Sequence, residues 1–93
     1  MKMNTYMIER ELPGAGQLTA DELHTIATKS NQVIAEDCQH TVQWVTSYIT
    51  GDKLYCVYRA GDAEALREHA RCGGFPADEV VEIVGRFDPT TGD

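Results

Sequence analysis

The chain has 93 residues, of which 15 are acidic and 8 are basic, so it carries a net charge of −7. A chain of this length forms one domain with a modest core, and pairing with a second copy of itself is an expected source of further stability. The negative charge repels phosphate backbones and anionic lipids. It therefore argues against nucleic acid and membrane as partners and favours cationic partners, including divalent metals.

The number and spacing of the cysteines indicate the redox state of the cellular compartment. Cys38, Cys56 and Cys72 are widely spaced and form no CxxC pair, which excludes a zinc ribbon or a thioredoxin motif. Because three thiols cannot all pair within one chain, they favour a reducing environment. No apolar run reaches the length of a signal-peptide core or a membrane span, so we expect a cytoplasmic protein.

The first predicted element is a strand over residues 5–12, where side chains of two kinds alternate along TYMIEREL. If Ile8 faces the core, then Met7, Glu9 and Glu11 face the opposite side of the sheet. A Pro-Gly-Ala-Gly turn ends the strand.

A helix is predicted to follow, with Thr19 as its N-cap and Glu22 completing a capping box. The helix is expected to fade near residues 36–38. Apolar and small side chains recur at helical spacing and define its buried stripe. These are Leu23, Ile26, Ala27, Ser30 and Ile34.

A hairpin is predicted from residues 41–50 and 53–60, joined by a two-residue turn at Gly51 and Asp52. This turn pairs Thr50 with Lys53 and so sets the register. One face then pairs Tyr48 with Tyr55, Thr46 with Val57, and Trp44 with Arg59. The other face pairs Ile49 with Leu54, Ser47 with Cys56, and Val45 with Tyr58.

A second helix is predicted after Asp62, its N-cap, and before Gly73, its C′ residue, with His69 on its inner stripe. A last strand is predicted over residues 80–87, and residues 89–93 are expected to be flexible. One face of that strand carries Val81, Ile83 and Phe87, and the other carries Val80, Glu82, Val84 and Arg86.

The order β-α-β-β-α-β predicts an α+β ferredoxin-like fold over residues 1–93: a four-stranded antiparallel sheet with both helices on one face. The hairpin register assigns an aromatic and charged set to the side without helices. That set is too apolar to be left in water, which predicts a two-fold homodimer packed through it. Its members are Trp44, Thr46, Tyr48, Tyr55, Val57 and Arg59, joined by Glu82, Val84 and Arg86 of the last strand and by Met7, Glu9 and Glu11 of the first.

Few residues indicate a catalytic or metal-binding role. No GxSxG, HExxH, P-loop or GxGxxG motif is present, so no residue is assigned a catalytic role. His69 is expected to be either a satisfied, half-buried histidine or a ligand, since neutral imidazole binds nickel, zinc or copper and carboxylates can complete such a site. His24 and His40 are expected on the surface, and Cys56 in the core.

The segments ERELPGAG, WVTSYITGDKLYCVY and REHARCGGFPADEV resemble a family of small bacterial proteins of unknown function, named for a nickel-binding member. The resemblance covers about residues 6–88 and implies a dimeric ferredoxin-like fold. It also implies nickel, or another divalent transition metal, as a ligand. The nickel-associated branch is richer in histidine: this chain has Glu9 and Phe75 where that branch has histidine, whereas His69 is a matching imidazole.

Three hypotheses follow for function. The first is a small cytoplasmic dimer that binds a divalent transition metal such as nickel through Glu9, His69 and Glu82 or a neighbouring residue. The second is a small-molecule-binding or enzymatic α+β dimer that uses Trp44, Tyr48, Tyr55 and Arg59 as its pocket. The third is an interaction protein without a pocket.

Overall fold

The structure is a computed structural model that describes residues 3–36, 42–74, 77 and 79–93. Its strands are β1 (Asn4–Glu11), β2 (Val42–Ile49), β3 (Lys53–Ala60) and β4 (Glu79–Ile83), and its α-helices are α1 (Ala20–Glu36) and α2 (Ala63–Gly73). Short 3-10 helices lie at Ala15–Gln17 and Pro89–Gly92. The second of these lies where the sequence predicts a flexible tail.

The strands form one antiparallel sheet in the order β2-β3-β1-β4. This order and the two helices confirm the predicted α+β ferredoxin-like fold. β1 is a central strand, and its residues alternate between buried and half-buried as a strand with unlike faces requires. Tyr6, Ile8 and Arg10 point to the helices, whereas Met7 and Glu9 point away from them.

We call the side that packs under the helices the covered face. It carries the core, and its members include Tyr6, Ile8, Val42, Cys56, Tyr58 and Ala60, with Val33 and Leu66 contributed by the helices. We call the opposite side the open face. Cross-strand pairing places Met7, Glu9, Tyr48, Tyr55, Val57, Arg59, Glu79 and Val81 on it.

The hairpin register is confirmed from its turn to the middle of β2 and is wrong beyond that point. Tyr48 pairs with Tyr55 and Ile49 with Leu54, as predicted, but a β-bulge lies between Trp44 and Thr46. The extra residue shifts the pairing by one position, so Trp44 opposes Tyr58 and lies on the covered face. Val45 is 56% exposed instead of facing the helices.

The predicted face of Glu82 is also wrong. β4 ends at Ile83 rather than continuing to residue 87, and it pairs Tyr6 with Glu82 and Met7 with Val81. Glu82 therefore lies on the side of Tyr6, and Val81 lies on the open face. The strand alternates apolar and charged residues weakly, so only its pairing with β1 decides which side points to the helices.

The helix boundaries follow the predicted caps closely. The Thr19 amide donates to Glu22 and the Glu22 amide donates to the Thr19 hydroxyl, which is the predicted capping box. The Asp62 carboxylate accepts from the Ala65 amide at the start of α2. The left-handed residue that ends α2 is Gly74, with φ of 69°, one position beyond the predicted Gly73.

Candidate functional site

The open face holds most of the side chains predicted for the side without helices. Tyr48, Tyr55 and Arg59 lie on it, and Tyr48 is 60% exposed. Trp44 does not, because of the bulge. The pocket predicted from these four residues therefore loses its tryptophan, and the predicted pairing of Trp44 with Arg59 is replaced by that of Trp44 with Tyr58.

Charged side chains cross the open face at one end of the sheet. The Lys53 ammonium lies 2.5 Å from a Glu9 carboxylate oxygen and 3.3 Å from a Glu11 carboxylate oxygen. These hydrogen bonds, the one to Glu9 first, raise the pKa of Lys53 above its ordinary value. Glu79 stands directly opposite Glu9 on the neighbouring strand. This part of the face thus brings two carboxylates side by side, with an ammonium bound to one of them.

His69 lies inside the covered side of the molecule and is fully buried. The Tyr58 hydroxyl lies 3.3 Å from its Nε2, and the two ring centroids are 5.3 Å apart. Burial and the nearby Arg10 guanidinium lower the pKa of His69 to about 4. The imidazole is therefore neutral at neutral pH and engaged with a tyrosine.

The structure does not bring the predicted metal ligands together within one chain. Glu9 points to the open face, whereas His69 is buried beneath α2 and Glu82 lies on the covered side of β4. Among the described residues, no cluster of three or more His, Cys, Asp or Glu side chains is placed to hold a metal ion. His24 is exposed on α1, and His40 and Cys38 lie outside the described residues.

A cavity of about 570 Å³ lies between α1 and the β2–β3 hairpin, a volume typical of small-molecule sites. Its walls are largely apolar and include Leu23, Ile26, Trp44, Ile49 and Leu54. The stripe of α1 that was predicted to be buried is only half-buried over Leu23, Ile26 and Ala27, because the helix does not close this gap.

Polar side chains enter the same cavity from the sheet and from α1. Arg10, Ser30 and Tyr58 line it, and all three are almost fully buried. Burial raises the pKa of Tyr58, while Arg10 and Ser30 lie close enough to its hydroxyl to oppose that rise. The Trp44 indole N–H donates to the Ser47 hydroxyl at 2.9 Å, which fixes the ring in the cavity wall.

Sequence reasoning missed this cavity because the bulge that turns Trp44 inward has no marker in the local pattern. One signal was available. Arg10 occupies an inward position of a strand that is otherwise apolar on that side, and a buried arginine requires a polar environment. An inward arginine on an otherwise apolar strand face could therefore have indicated a polar pocket under the helices.

The described part of the chain contains no helix that is both long enough and apolar enough to cross a membrane. The ferredoxin-like domain has the cavity on the covered face of its sheet and the Glu9–Glu79 pair on the open face.

Comparison with known proteins then gives the family. Residues 6–83 match the model of the SCO4226-like nickel responsive proteins, and the chain belongs to this family. The crystal structure of SCO4226 from Streptomyces coelicolor A3(2) is similar, with a TM-score of 0.73 and 21% sequence identity over 89% of this chain and 99% of that chain. At this identity the likeness shows a shared fold. No curated protein matches the chain.

Proposed function

We propose that this chain is a cytoplasmic, metal-responsive protein in which two copies pack through their open faces and share a divalent transition metal ion such as nickel. Membership of a family described as nickel responsive supports the choice of metal. The net charge of −7 supports a cationic partner in general.

The observation that carries the proposal is the pairing of Glu9 with Glu79 on the open face. Two carboxylates from one chain supply part of a coordination shell. Because no larger group of ligands forms among the described residues of one chain, a second copy is the natural source of the rest. A two-fold axis near Glu9 brings the same pair from each copy together, and donors from both chains would then hold the ion.

Apolar side chains around this face support the assembly. Val81 is 49% exposed on the open face, and Val84 and Phe87, just beyond β4, are 91% and 87% exposed. Exposed apolar side chains grouped in this way are typical of surfaces that meet a partner. A dimer would cover them while it brought the acidic ends of the two sheets together.

The same arrangement explains how metal could control assembly. Two acidic faces repel each other, and a divalent ion between them removes that repulsion. Lys53 already bonds to Glu9 and Glu11, so an incoming ion competes with an ammonium for Glu9. The protein would therefore respond to a metal that binds carboxylates strongly enough to displace lysine.

The experiment measures the dimer dissociation constant of metal-free protein by sedimentation equilibrium, with and without one equivalent of nickel, and with magnesium as a comparison ion. We expect nickel to tighten the dimer by about tenfold or more, which corresponds to about 1.4 kcal/mol. Glu9→Gln should remove most of that effect. Lys53→Met should strengthen it, because the competing ammonium is gone.

Glu64→Gln is the matched control, since Glu64 is an exposed glutamate on α2 with the same change in charge. It should leave the nickel effect intact. An unchanged nickel effect in Glu9→Gln would contradict the placement of the ion. A dimer of equal strength with and without nickel would contradict the metal-responsive function itself.

A further inference from the structure

The cavity under α1 has the composition of an organic ligand site rather than a metal site. Of the described residues that line it, Arg10 alone carries a charge, and that charge is positive in a chain whose net charge is −7. Aspartate, glutamate and histidine are absent from this described lining. Its chemistry is therefore the opposite of the carboxylate-rich open face.

Five polar side chains of the described residues line this largely apolar space, and three of them, Arg10, Ser30 and Tyr58, are almost fully buried. Tyr58 is close to both Arg10 and Ser30, so the guanidinium and the two hydroxyls form a local group. The field of Arg10 also reaches His69, whose imidazole is hydrogen-bonded to the Tyr58 hydroxyl. This group thus offers a positive charge and hydrogen-bond donors to a ligand, and the rest of the lining is mostly hydrocarbon and an indole ring, with Thr46 and Ser47.

Ser30 provides an independent observation. Its residue is only 4% exposed, and its Oγ lies near the Tyr58 hydroxyl but makes no hydrogen bond of normal geometry with it or with any other described residue. A buried hydroxyl without a partner is unfavourable and requires an explanation, since nearly all such groups are satisfied in folded proteins. Because Ser30 lines the cavity, a ligand that accepts a hydrogen bond there would satisfy it.

We propose that this cavity binds a small organic acid with an apolar body, whose carboxylate lies at Arg10 and Ser30 and whose aryl or alkyl part lies against Trp44 and α1. A guanidinium recognises a carboxylate with two parallel hydrogen bonds, which a neutral amide cannot reproduce. The apolar body is held by burial against the leucine and isoleucine walls. The site does not depend on metal and lies on the opposite side of the sheet from Glu9.

The single tryptophan of the chain lines the cavity and reports on its occupancy. The experiment titrates metal-free protein, in the presence of a chelator, with phenylacetate and octanoate, and in parallel with phenylacetamide and octanamide. We expect a saturable change in Trp44 fluorescence with the acids and affinities about tenfold or more above those of the matched amides.

Substitutions of cavity residues then test whether the ligand binds in this cavity. Ser30→Ala should weaken binding of the acids by about tenfold without loss of folding, since it also removes a buried unpaired hydroxyl. Ala27→Leu should abolish binding by filling the cavity, whereas Thr28→Leu, at the next and exposed position of α1, should not change it. Arg10→Met should bring the acids and the amides to similar affinity.

Two outcomes would overturn the proposal: no saturable change with either acid up to millimolar concentration, or amides that bind as tightly as acids to the unsubstituted protein. Unchanged affinity in both Ser30→Ala and Ala27→Leu would place the ligand elsewhere and reject the site, even if Arg10→Met fails to fold. Because the chelator removes metal, this result is independent of the nickel experiment.

Discussion

The two faces of this sheet come from the same strands yet have different chemistry. In β1, Ile8 is fully buried and packs in the core, while Glu9, the next residue, lies on the other side and bonds to Lys53. The covered face holds one buried cation and an apolar cavity, and the open face holds carboxylates and exposed apolar side chains. Strand alternation thus gives a 93-residue chain two chemically unlike surfaces separated by one layer of backbone.

The separation of the two faces also explains why the predicted ligands Glu9 and His69 do not lie together within one chain. Glu9 and His69 were assigned to one ion because each is a plausible ligand. The sheet separates them, and the buried His69 is engaged with Tyr58. Placing the ion on the open face and an organic acid on the covered side gives each ligand the donors that suit it.

The largest expected effect is on the free energy of unfolding. Substitutions on the covered face should lower it more than substitutions on the open face. Ile8→Ala should lower the free energy of unfolding by about 2–5 kcal/mol, because it leaves a cavity in the centre of the core. Val81→Ala on the open face should cost less than about 1 kcal/mol in the monomer, since Val81 is half exposed. Urea unfolding of both variants measures the difference. Similar losses in dilute monomer would contradict the two-face description.

The pH dependence of stability tests the buried histidine of the covered side. In the unfolded state His69 has the ordinary histidine pKa of 6.5, whereas in the folded state its pKa is about 4. Between these two pH values the unfolded chain therefore binds a proton at His69 that the folded protein does not bind. Stability should therefore be level above pH 6.5 and fall as the pH drops from 6.5 to 4, by about 3 kcal/mol for this group. Burial, and after it the Arg10 charge, keep the imidazole neutral, while the Tyr58 hydroxyl lies within hydrogen-bond distance of its Nε2.

Between pH 7 and pH 4, the free energy of unfolding of His69→Gln should fall less steeply than that of the unsubstituted protein. His24→Gln, a change at an exposed histidine, should retain the full fall. Equal slopes in the His69 variant and the unsubstituted protein would show that His69 titrates normally, contrary to its buried position.

The assembly proposal predicts an effect confined to the open face. Tyr48→Asp adds a charge to an exposed aromatic position of that face and should weaken the dimer by about tenfold or more. Thr28→Asp, on the outer surface of α1, should leave the dimer unchanged. Light scattering after size-exclusion chromatography gives both masses, and a Tyr48→Asp protein that stays dimeric would locate the interface elsewhere.

The smallest predicted effect concerns the helix that forms one wall of the cavity. Thr19→Ala removes the cap of α1 and should cost about 1 kcal/mol, with a range of about 0.5–2 kcal/mol. The loss should affect binding of the organic acid more than binding of nickel, because only the covered side contains α1. A variant that loses nickel binding instead would contradict the separation of the two sites.

Local signals predicted most of the fold. The capping box at Thr19, the cap at Asp62 and the turn at Gly51 each act within a few residues, so the sequence defines them directly. The bulge near Val45 and the face of Glu82 depend on pairing between distant strands. A one-residue shift there moved Trp44 from the predicted ligand face to the cavity wall.

The sites were less predictable than the fold for the same reason. Their residue types indicated that Glu9 and His69 are candidate metal ligands. Which side of the sheet each side chain reaches depends on long-range packing. Arg10 and Ser30 were assigned only to elements, because their burial together follows from the distance that α1 keeps from the hairpin. No local pattern sets that distance.

The most direct test of the two-face account is an anomalous difference map from crystals grown with nickel. We expect a peak on the open face beside the Glu9 carboxylate, close to a two-fold axis that relates two copies. A peak on the covered side at His69, or stoichiometric nickel bound away from Glu9, would contradict it.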